Sequence, residues 1–401
     1  MNSQYNLLLP LSAQPTGGFK SGMQVDFMLQ GSEKAIKPGT VNLTGTLAVT
    51  NSANPAPNNL LPADLITLNP NAGAHGLFKY LILEMADRTV EINSQYGLYH
   101  AAKTEAMNST VELGANSSAV PELKVSNADG NYTTLGQSYL LGQATGVDAN
   151  KIYFSITLDC ALNNATAPIP FAKAGAIHLR LTLAEVSEIF RAPSIATANI
   201  DYSISDLALR YETVDAVSDA PIIMEKVMYA GQQSILSSFN TFSAVPPASF
   251  HSSILLFRNK DHNNTGANLT YDSLLNENFQ NNDGSIVIPN YVEWTLLGAD
   301  SGPIQFPLMT QEEALFNYLM AQTSGKSVKN GVNYAKLQNQ RYVINAGTPQ
   351  ETTVGACGYG LGAYWGQELP GGMACQTTIN FVSKPDSNYN VYIFFKGSLV
   401  L

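Results

Sequence analysis

The sequence predicts an all-β fold of two tandem eight-stranded antiparallel jelly rolls, each with a short flanking helix and long loops. Three observations lead there. Apolar residues recur every second position in many short stretches bounded by turn residues. Helical patterning is too sparse for the crossovers a parallel sheet needs. A strand–turn–strand–helix unit at Leu77–Ala106 has a counterpart at Tyr291–Gly325, one per half of the 401-residue chain.

Residues 1–18 read as an N-terminal arm, MNSQYNLLLPLSAQPTGG, which lacks the basic start and long apolar stretch of a signal peptide. Its Leu7-Leu8-Leu9 run is expected to pack locally, with a lipid surface or a neighbouring subunit as the alternatives. The first roll is assigned to 19–213. Phe19–Leu29 forms its first strand, and Val41, Leu43, Leu47 and Val49 alternate around Gly45 in a second. Asn51–Gly76 is a long, projecting loop. Leu77–Leu83 is a dense apolar strand, Ala86-Asp87-Arg88 a hairpin turn and Thr89–Ile92 the return. Asn93 or Ser94 caps a helix through Tyr96, Leu98, Tyr99 and Ala102. After the loop Met107–Asn150, Ile152, Phe154, Ile156 and Leu158 alternate, as do Ile177, Leu179, Leu181 and Leu183. A brief helix follows at Ala184–Phe190. Ile200, Tyr202 and Ile204 keep one phase and Leu207, Leu209 and Tyr211 the other, so a β-bulge is expected near Ser205-Asp206.

Residues 214–221, VDAVSDAP, are the linker, and 222–401 the second roll. Its strands are Ile222–Tyr229, Phe250–Phe257 after the breaker Pro246-Pro247, Tyr291–Leu297 and Ile304–Leu308. Thr310 and Glu313 form a capping box for a helix whose face is Leu315, Phe316, Leu319 and Met320, ended by Gly325. Asn259–Gly284 and Ser324–Thr353 are loops. Gly355–Trp365, Thr377–Val382 and Tyr389–Phe395 close the roll.

Composition narrows the function classes. Only 13% of residues are charged, about half the usual share, which suits a surface covered by further copies. The net charge of −10, with no Lys/Arg cluster, argues against direct nucleic-acid binding. No apolar run approaches the ~20 residues of a membrane-spanning helix. Cys160, Cys357 and Cys375 are scattered, which fits neither a disulfide framework nor a zinc site and points to a reducing cytoplasm. Seven N-x-S/T sequons read as by-products of loops rich in Asn, Ser and Thr.

Catalytic constellations are missing. His75, His100, His178, His251 and His262 have no metal-ligand spacing, and there is no G-x-S-x-G elbow. Gly358–Gly362 lacks dinucleotide spacing and reads as a strand. Asp261-x-Asn263-x-Thr265-Gly266 partly matches a calcium loop, but the closing Glu is absent, so it reads as a polar turn. No catalytic, cofactor-binding or metal residue is assigned, and no cofactor is expected.

Several stretches resemble the double jelly-roll major capsid proteins of tailless icosahedral viruses, the tectivirus, polinton-like virus and virophage type. FKYLILEMADRTVEINSQYGLYHAAK resembles the strand–turn–strand–helix unit of a first jelly roll. KIYFSITLDC, GAIHLRLTLAE and ANIDYSISDLALRYETVD resemble its later strands, and FSAVPPASFHSSILLFRNKDHNN the early second roll. The resemblance implies a structural, non-enzymatic subunit of a virion, assembled in the host cytoplasm or a virus factory. It implies a homotrimeric, pseudo-hexagonal capsomer that tiles an icosahedral shell, with neighbouring capsomers, minor capsid or penton proteins and an internal membrane as partners. One departure bears on the membrane: the tectivirus type has a longer, more polar N-terminal helix where this arm is short and contains Pro10 and Pro15. The alternatives are a minor vertex or spike protein, and a two-domain β-sandwich that binds or hydrolyses glycans.

Overall fold

The alternating stretches pair into two sandwiches built on one plan. The computed structural model describes residues 3–31, 33–54, 66–68, 72–107, 124–126, 132–134, 140–141, 151–191, 199–215, 220–259, 287, 289–298, 304–307, 311–325, 342–345, 348–353, 360–386 and 388–401. In the first sandwich the strands are β1 (Ser3–Leu8), β2 (Gln24–Leu29), β3 (Asn42–Asn51), β4 (Phe78–Met85), β5 (Arg88–Asn93), β6 (Lys151–Thr157), β7 (Ile177–Leu183) and β8 (Ile200–Asp215), with helix α1 (Tyr96–Met107) between β5 and β6. In the second they are β9 (Ile223–Ser234), β10 (Phe239–Ala244), β11 (Phe250–Asn259), β12 (Tyr291–Leu296), β13 (Ile304–Pro307), β14 (Leu361–Leu369), β15 (Cys375–Asn380) and β16 (Tyr389–Val400), with α2 (Gln311–Gln322) between β13 and β14.

Pairing order is the same in both. In the first sandwich the sheets run β1-β8-β3-β6, to which the short strands Lys34–Ile36 and Ile169–Pro170 add beside β8, and β2-β7-β4-β5. In the second they run β9-β16-β11-β14 and β10-β15-β12-β13. Each helix therefore follows the fifth strand of its own sandwich. The two halves meet where β5 lies parallel to β9, with Ile92 opposite Met228. That contact fuses β2-β7-β4-β5 and β9-β16-β11-β14 into one eight-stranded sheet. One apolar cluster fills the first sandwich around Phe27, Leu81, Leu179 and Leu209. A second fills the other around Trp294, Phe250, Ile379 and Phe394, and it takes in Leu98, Tyr99, Ala101 and Ala102 of α1.

Local chemistry explains the elements. Ala86 and Asp87 both have positive φ (46° and 59°), the two-residue hairpin geometry whose twist matches the strands it joins. The Asn93 side chain accepts the N–H of Gln95 at 3.1 Å at the entry to α1. The expected bulge is present: the β8–β3 register shifts between Ser205 and Ala208, and Asp206 has φ 55°. Gly45 is needed on β3 because a Cβ there would sit 2.9 Å from the Phe154 ring. At the end of α2, Gly325 has φ 74° and donates its N–H to the Met320 carbonyl at 2.9 Å.

The structure also corrects expectations. Residues 3–8 of the arm form β1, paired with β8 from Ser3–Val214 to Leu8–Leu209. The next strand starts at Gln24, and Phe19 makes only an isolated bridge to Ile204. β10 was not foreseen; it exposes Phe239 and buries Phe242, so apolar residues stand on both of its faces. α2 packs through Ala314, Leu315, Tyr318 and Ala321, while Phe316 points outward at 61% exposure. Most of the loops Asn51–Gly76, Met107–Asn150, Asn259–Gly284 and Ser324–Thr353 lies outside the described residues, as do Thr310, His262 and the Asp261 turn.

Candidate functional site at the junction of the two sandwiches

Polar chemistry concentrates where the sandwiches meet, and it begins with a bulge. Thr89-Val90-Glu91-Ile92 alternates as if Val90 and Ile92 faced inward. The β4–β5 register shifts so that Glu84 faces Thr89 but Leu83 faces Glu91, which leaves Val90 as the extra residue. The phase flips. Ile92 becomes 36% exposed, and Glu91 is buried at 1%. One Glu91 oxygen accepts the N–H of Ala161 at 2.8 Å and the other that of Val227 on β9 at 3.0 Å. A single carboxyl thus ties β5, the segment after β6 and the second sandwich together. Burial pushes its pKa up to about 8, against the two N–H bonds that favour its charge.

A second cluster lies between α1 and the first sandwich. His75, from the 3-10 turn Gly73–Leu77, stacks on His100 of α1 with ring centroids 3.6 Å apart. The Tyr96 hydroxyl accepts the Asp159 N–H at 3.0 Å and shares a hydrogen bond with His75 Nδ1 at 2.8 Å. His75 is buried. Its burial, followed by the neighbouring His100, holds its pKa well below the usual range. Asp159 takes both carboxylate oxygens to Lys103 Nζ at 2.9 and 3.0 Å, and Asn164 donates to it at 3.2 Å. Burial opposes the Asp159 charge, but Lys103 and His100 outweigh it and hold the carboxyl well below the ordinary range.

The third cluster closes the end of α2. Lys396 on β16 lies 2.9 Å from Glu225 on β9 and donates to the Gln322 carbonyl at 2.6 Å, the end of the helix where a cation is favoured. The Ser324 hydroxyl donates to Glu225. Burial works against the Glu225 charge, yet Lys396 and Ser324 bring its pKa down to about 2. The two helices are also linked directly. Tyr99 donates to Gln322 Oε1 at 3.0 Å, Gln322 to the Tyr318 hydroxyl at 3.1 Å, and Tyr318 to the Ala102 carbonyl at 3.4 Å. Backbone bonds add to this, with Thr166 N–H on the Ile223 carbonyl at 2.9 Å.

Glu91, Asp159, Lys103, Glu225 and Lys396 are each engaged with another protein group. Of these, Glu91 reaches from one sandwich to the other, whereas Asp159 and Lys103 pair within the first and Glu225 and Lys396 within the second. Among the described residues, no group of three or more His, Cys, Asp or Glu side chains is disposed to hold a metal ion. His100, expected to be structural, belongs to the histidine stack. His178 is half-buried on β7, and His251 lies buried against Tyr364 with its Nδ1 2.9 Å from Ser252 Oγ. The junction residues were not anticipated, because each reads in sequence as an ordinary surface charge.

A scan against protein-family models finds no match to this chain, and a search of curated proteins finds none either. Solved structures do match. The Faustovirus major capsid protein aligns with 100% of this chain and 90% of its own at TM-score 0.54 and 10% identity. A chain of the Sputnik virophage, solved by cryo-EM, aligns with 100% of this chain and 86% of its own at TM-score 0.54 and 11% identity. The mavirus major capsid protein aligns over 99% and 90% at TM-score 0.50 and 11% identity. At these identities the likeness is one of fold, and it spans both sandwiches: the chain is a double jelly roll.

Proposed function

We propose that this chain is the structural major capsid protein of an icosahedral virion. The observation that carries the proposal is the full-length match of both sandwiches, in order, to major capsid proteins of Faustovirus and mavirus. A junction with a buried carboxyl bonded to both jelly rolls fits a shell subunit, and so does a chain poor in charge. In this proposal three copies form a homotrimer whose six jelly rolls give a pseudo-hexagonal outline, and such capsomers tile the shell. The chain divides in the expected linker 214–221, whose first two residues, Val214 and Asp215, complete β8, with β1 belonging to the first roll and 222–401 to the second. Its partners are neighbouring capsomers and minor capsid or penton proteins, its place is the virion, and it carries out no catalysis. An internal membrane is a further candidate partner.

Negative-stain imaging of the purified protein tests this. The proposal expects particles with a pseudo-hexagonal outline and threefold symmetry. A field of isolated two-lobed monomers would count against it.

A further inference from the structure

Two histidines meet face to face where α1 seats on the first sandwich. His75, from the turn Gly73–Leu77, and His100, from α1, have ring centroids 3.6 Å apart and planes 21° from parallel. The two backbones close in beside them, since a Cβ on Gly97 of α1 would lie 3.2 Å from the Gly76 Cα. His75 is 7% exposed, and its Nδ1 is bonded to the Tyr96 hydroxyl at 2.8 Å.

Charge is distributed unequally around the stack. His100 has the Asp159 carboxylate 3.4 Å from its Nδ1 and the Thr104 hydroxyl 3.2 Å from its Nε2. Among the described residues His75 has no carboxylate within hydrogen-bond reach. On α1 it faces His100 and the field of the Lys103 ammonium, and from the segment after β6 that of Asp159, which Lys103 already engages at 2.9 and 3.0 Å. Cys160 beside Asp159 is a buried thiol whose pKa burial pushes up, and Glu91 of β5 is bonded to Ala161 and Val227. The other elements against the turn pair their charges elsewhere or turn them outward. Lys79 of β4 meets Glu188 of the helical turn Val186–Ile189 at 2.7 Å, and Glu84 of β4 meets Arg180 at 2.7 Å. Tyr80 of β4 and Lys151 and Tyr153 of β6 are exposed.

We propose that His75 is an acid-operated catch on α1: on taking up a proton it parts the turn Gly73–Leu77 from the helix and loosens the helix in its seat. An imidazolium at this site is buried, stacked on a second imidazole and close to an ammonium, with no counter-ion of its own. Burial first and His100 second lower the His75 pKa, so its contribution is present above the ordinary imidazole value of about 6.5 and is lost as pH falls below it. α1 places Tyr96 in the first core and Leu98, Tyr99, Ala101 and Ala102 in the second, so its release weakens the apolar side of the junction. The Glu91 bonds do not involve α1 and stay in place. In a shell subunit the catch makes mild acid a loosening signal; that use rests on the capsid proposal, and the catch itself does not.

Over the same interval Glu91 gains stability as pH falls, so a global melt masks the catch and the measurement is local. Hydrogen–deuterium exchange of the full chain, read by mass spectrometry from pH 7.5 to pH 5 and corrected for intrinsic rates, provides it. Opening of α1 should rise ~10-fold per pH unit below about 6.5, one proton per opening. His75→Asn keeps a hydrogen-bonding group for Tyr96 and takes up no proton, and its profile should be flat. His75→Phe keeps a ring on His100 and should be flat as well. His178→Asn, on β7, should keep the wild-type slope. A wild-type profile that is flat, or a slope that survives in a folded His75 variant, overturns the catch while leaving the capsid proposal standing. A slope abolished by His178→Asn assigns the proton elsewhere and overturns it too.

Discussion

Helices α1 and α2 hold the same place, after the fifth strand of their sandwiches, and both are 12 residues long. They are used differently. α1 is enclosed: Tyr96 belongs to the first core and Leu98, Tyr99, Ala101 and Ala102 to the second. α2 buries one side and leaves Phe316 in solvent. The strands before them differ too: β5 pairs with β9, whereas among the described residues β13 pairs with β12 alone. The repeated plan thus gives one junction that is satisfied inside the chain, while α2 keeps one face in solvent. The internal junction combines an apolar helix face with a buried carboxyl, Glu91, whose two oxygens accept N–H groups from both sandwiches.

The largest expected effect comes from unpairing a buried charge inside the second sandwich, beside the junction. Glu225→Ala strands the Lys396 ammonium, which is 1% exposed, and should cost ~3–5 kcal/mol in urea unfolding. Replacing both partners, Glu225→Leu with Lys396→Met, should recover most of that loss. If the double variant is as unstable as the single, the pair contributes more than mutual neutralisation.

Next in size is the contrast between the helices. Leu98→Ala should destabilise the chain by ~2–5 kcal/mol, because it empties a packed site. Phe316→Ala should change the unassembled chain by no more than ~0.5 kcal/mol. Equal effects on thermal unfolding would mean that the outward face of α2 is already covered within the chain.

The pH dependence has two limbs of opposite sign. Glu91 has its pKa raised to about 8 in the folded chain, so its contribution is fully present below the ordinary carboxylate value and fades as pH rises through about 8. Asp159 and Glu225 are depressed, Glu225 to about 2, so their contribution is present above the ordinary carboxylate value and fades as pH falls through the folded one. The melting temperature should therefore peak in weakly acidic solution and decline toward pH 9. Glu91→Gln should flatten the alkaline decline, and it should lower stability by ~1–3 kcal/mol, because an amide N–H then faces a backbone N–H. An alkaline decline as steep in the variant would assign it to another group.

The smallest effect belongs to the bulge. Asp206→Gly, at φ 55°, should change stability by less than ~1 kcal/mol in either direction, because it relieves backbone strain while freeing the unfolded chain. Asp206→Val should cost more.

Much of the fold was legible because a half-buried strand writes its register into alternation. The Ser205-Asp206 bulge could be placed from a change of phase alone, and the Ala86-Asp87 hairpin and the Gly325 stop from turn chemistry. β1 escaped notice because Leu7-Leu8-Leu9 does not alternate; Leu8 packs toward the core while Leu7 and Leu9 stay outside. The junction escaped for a different reason. Glu91 and Val227 are 136 positions apart, and nothing local marks them as partners. The bulge that turns Glu91 inward leaves Val90 and Ile92 looking like the buried pair. Apolar packing has a period that a sequence displays, whereas a buried polar contact depends on which distant backbone arrives beside it.

Native mass spectrometry of the wild-type protein at micromolar concentration tests the central claim most directly. The account predicts a species of three times the 43.1 kDa chain, with little monomer. A stable monomer at that concentration would contradict it.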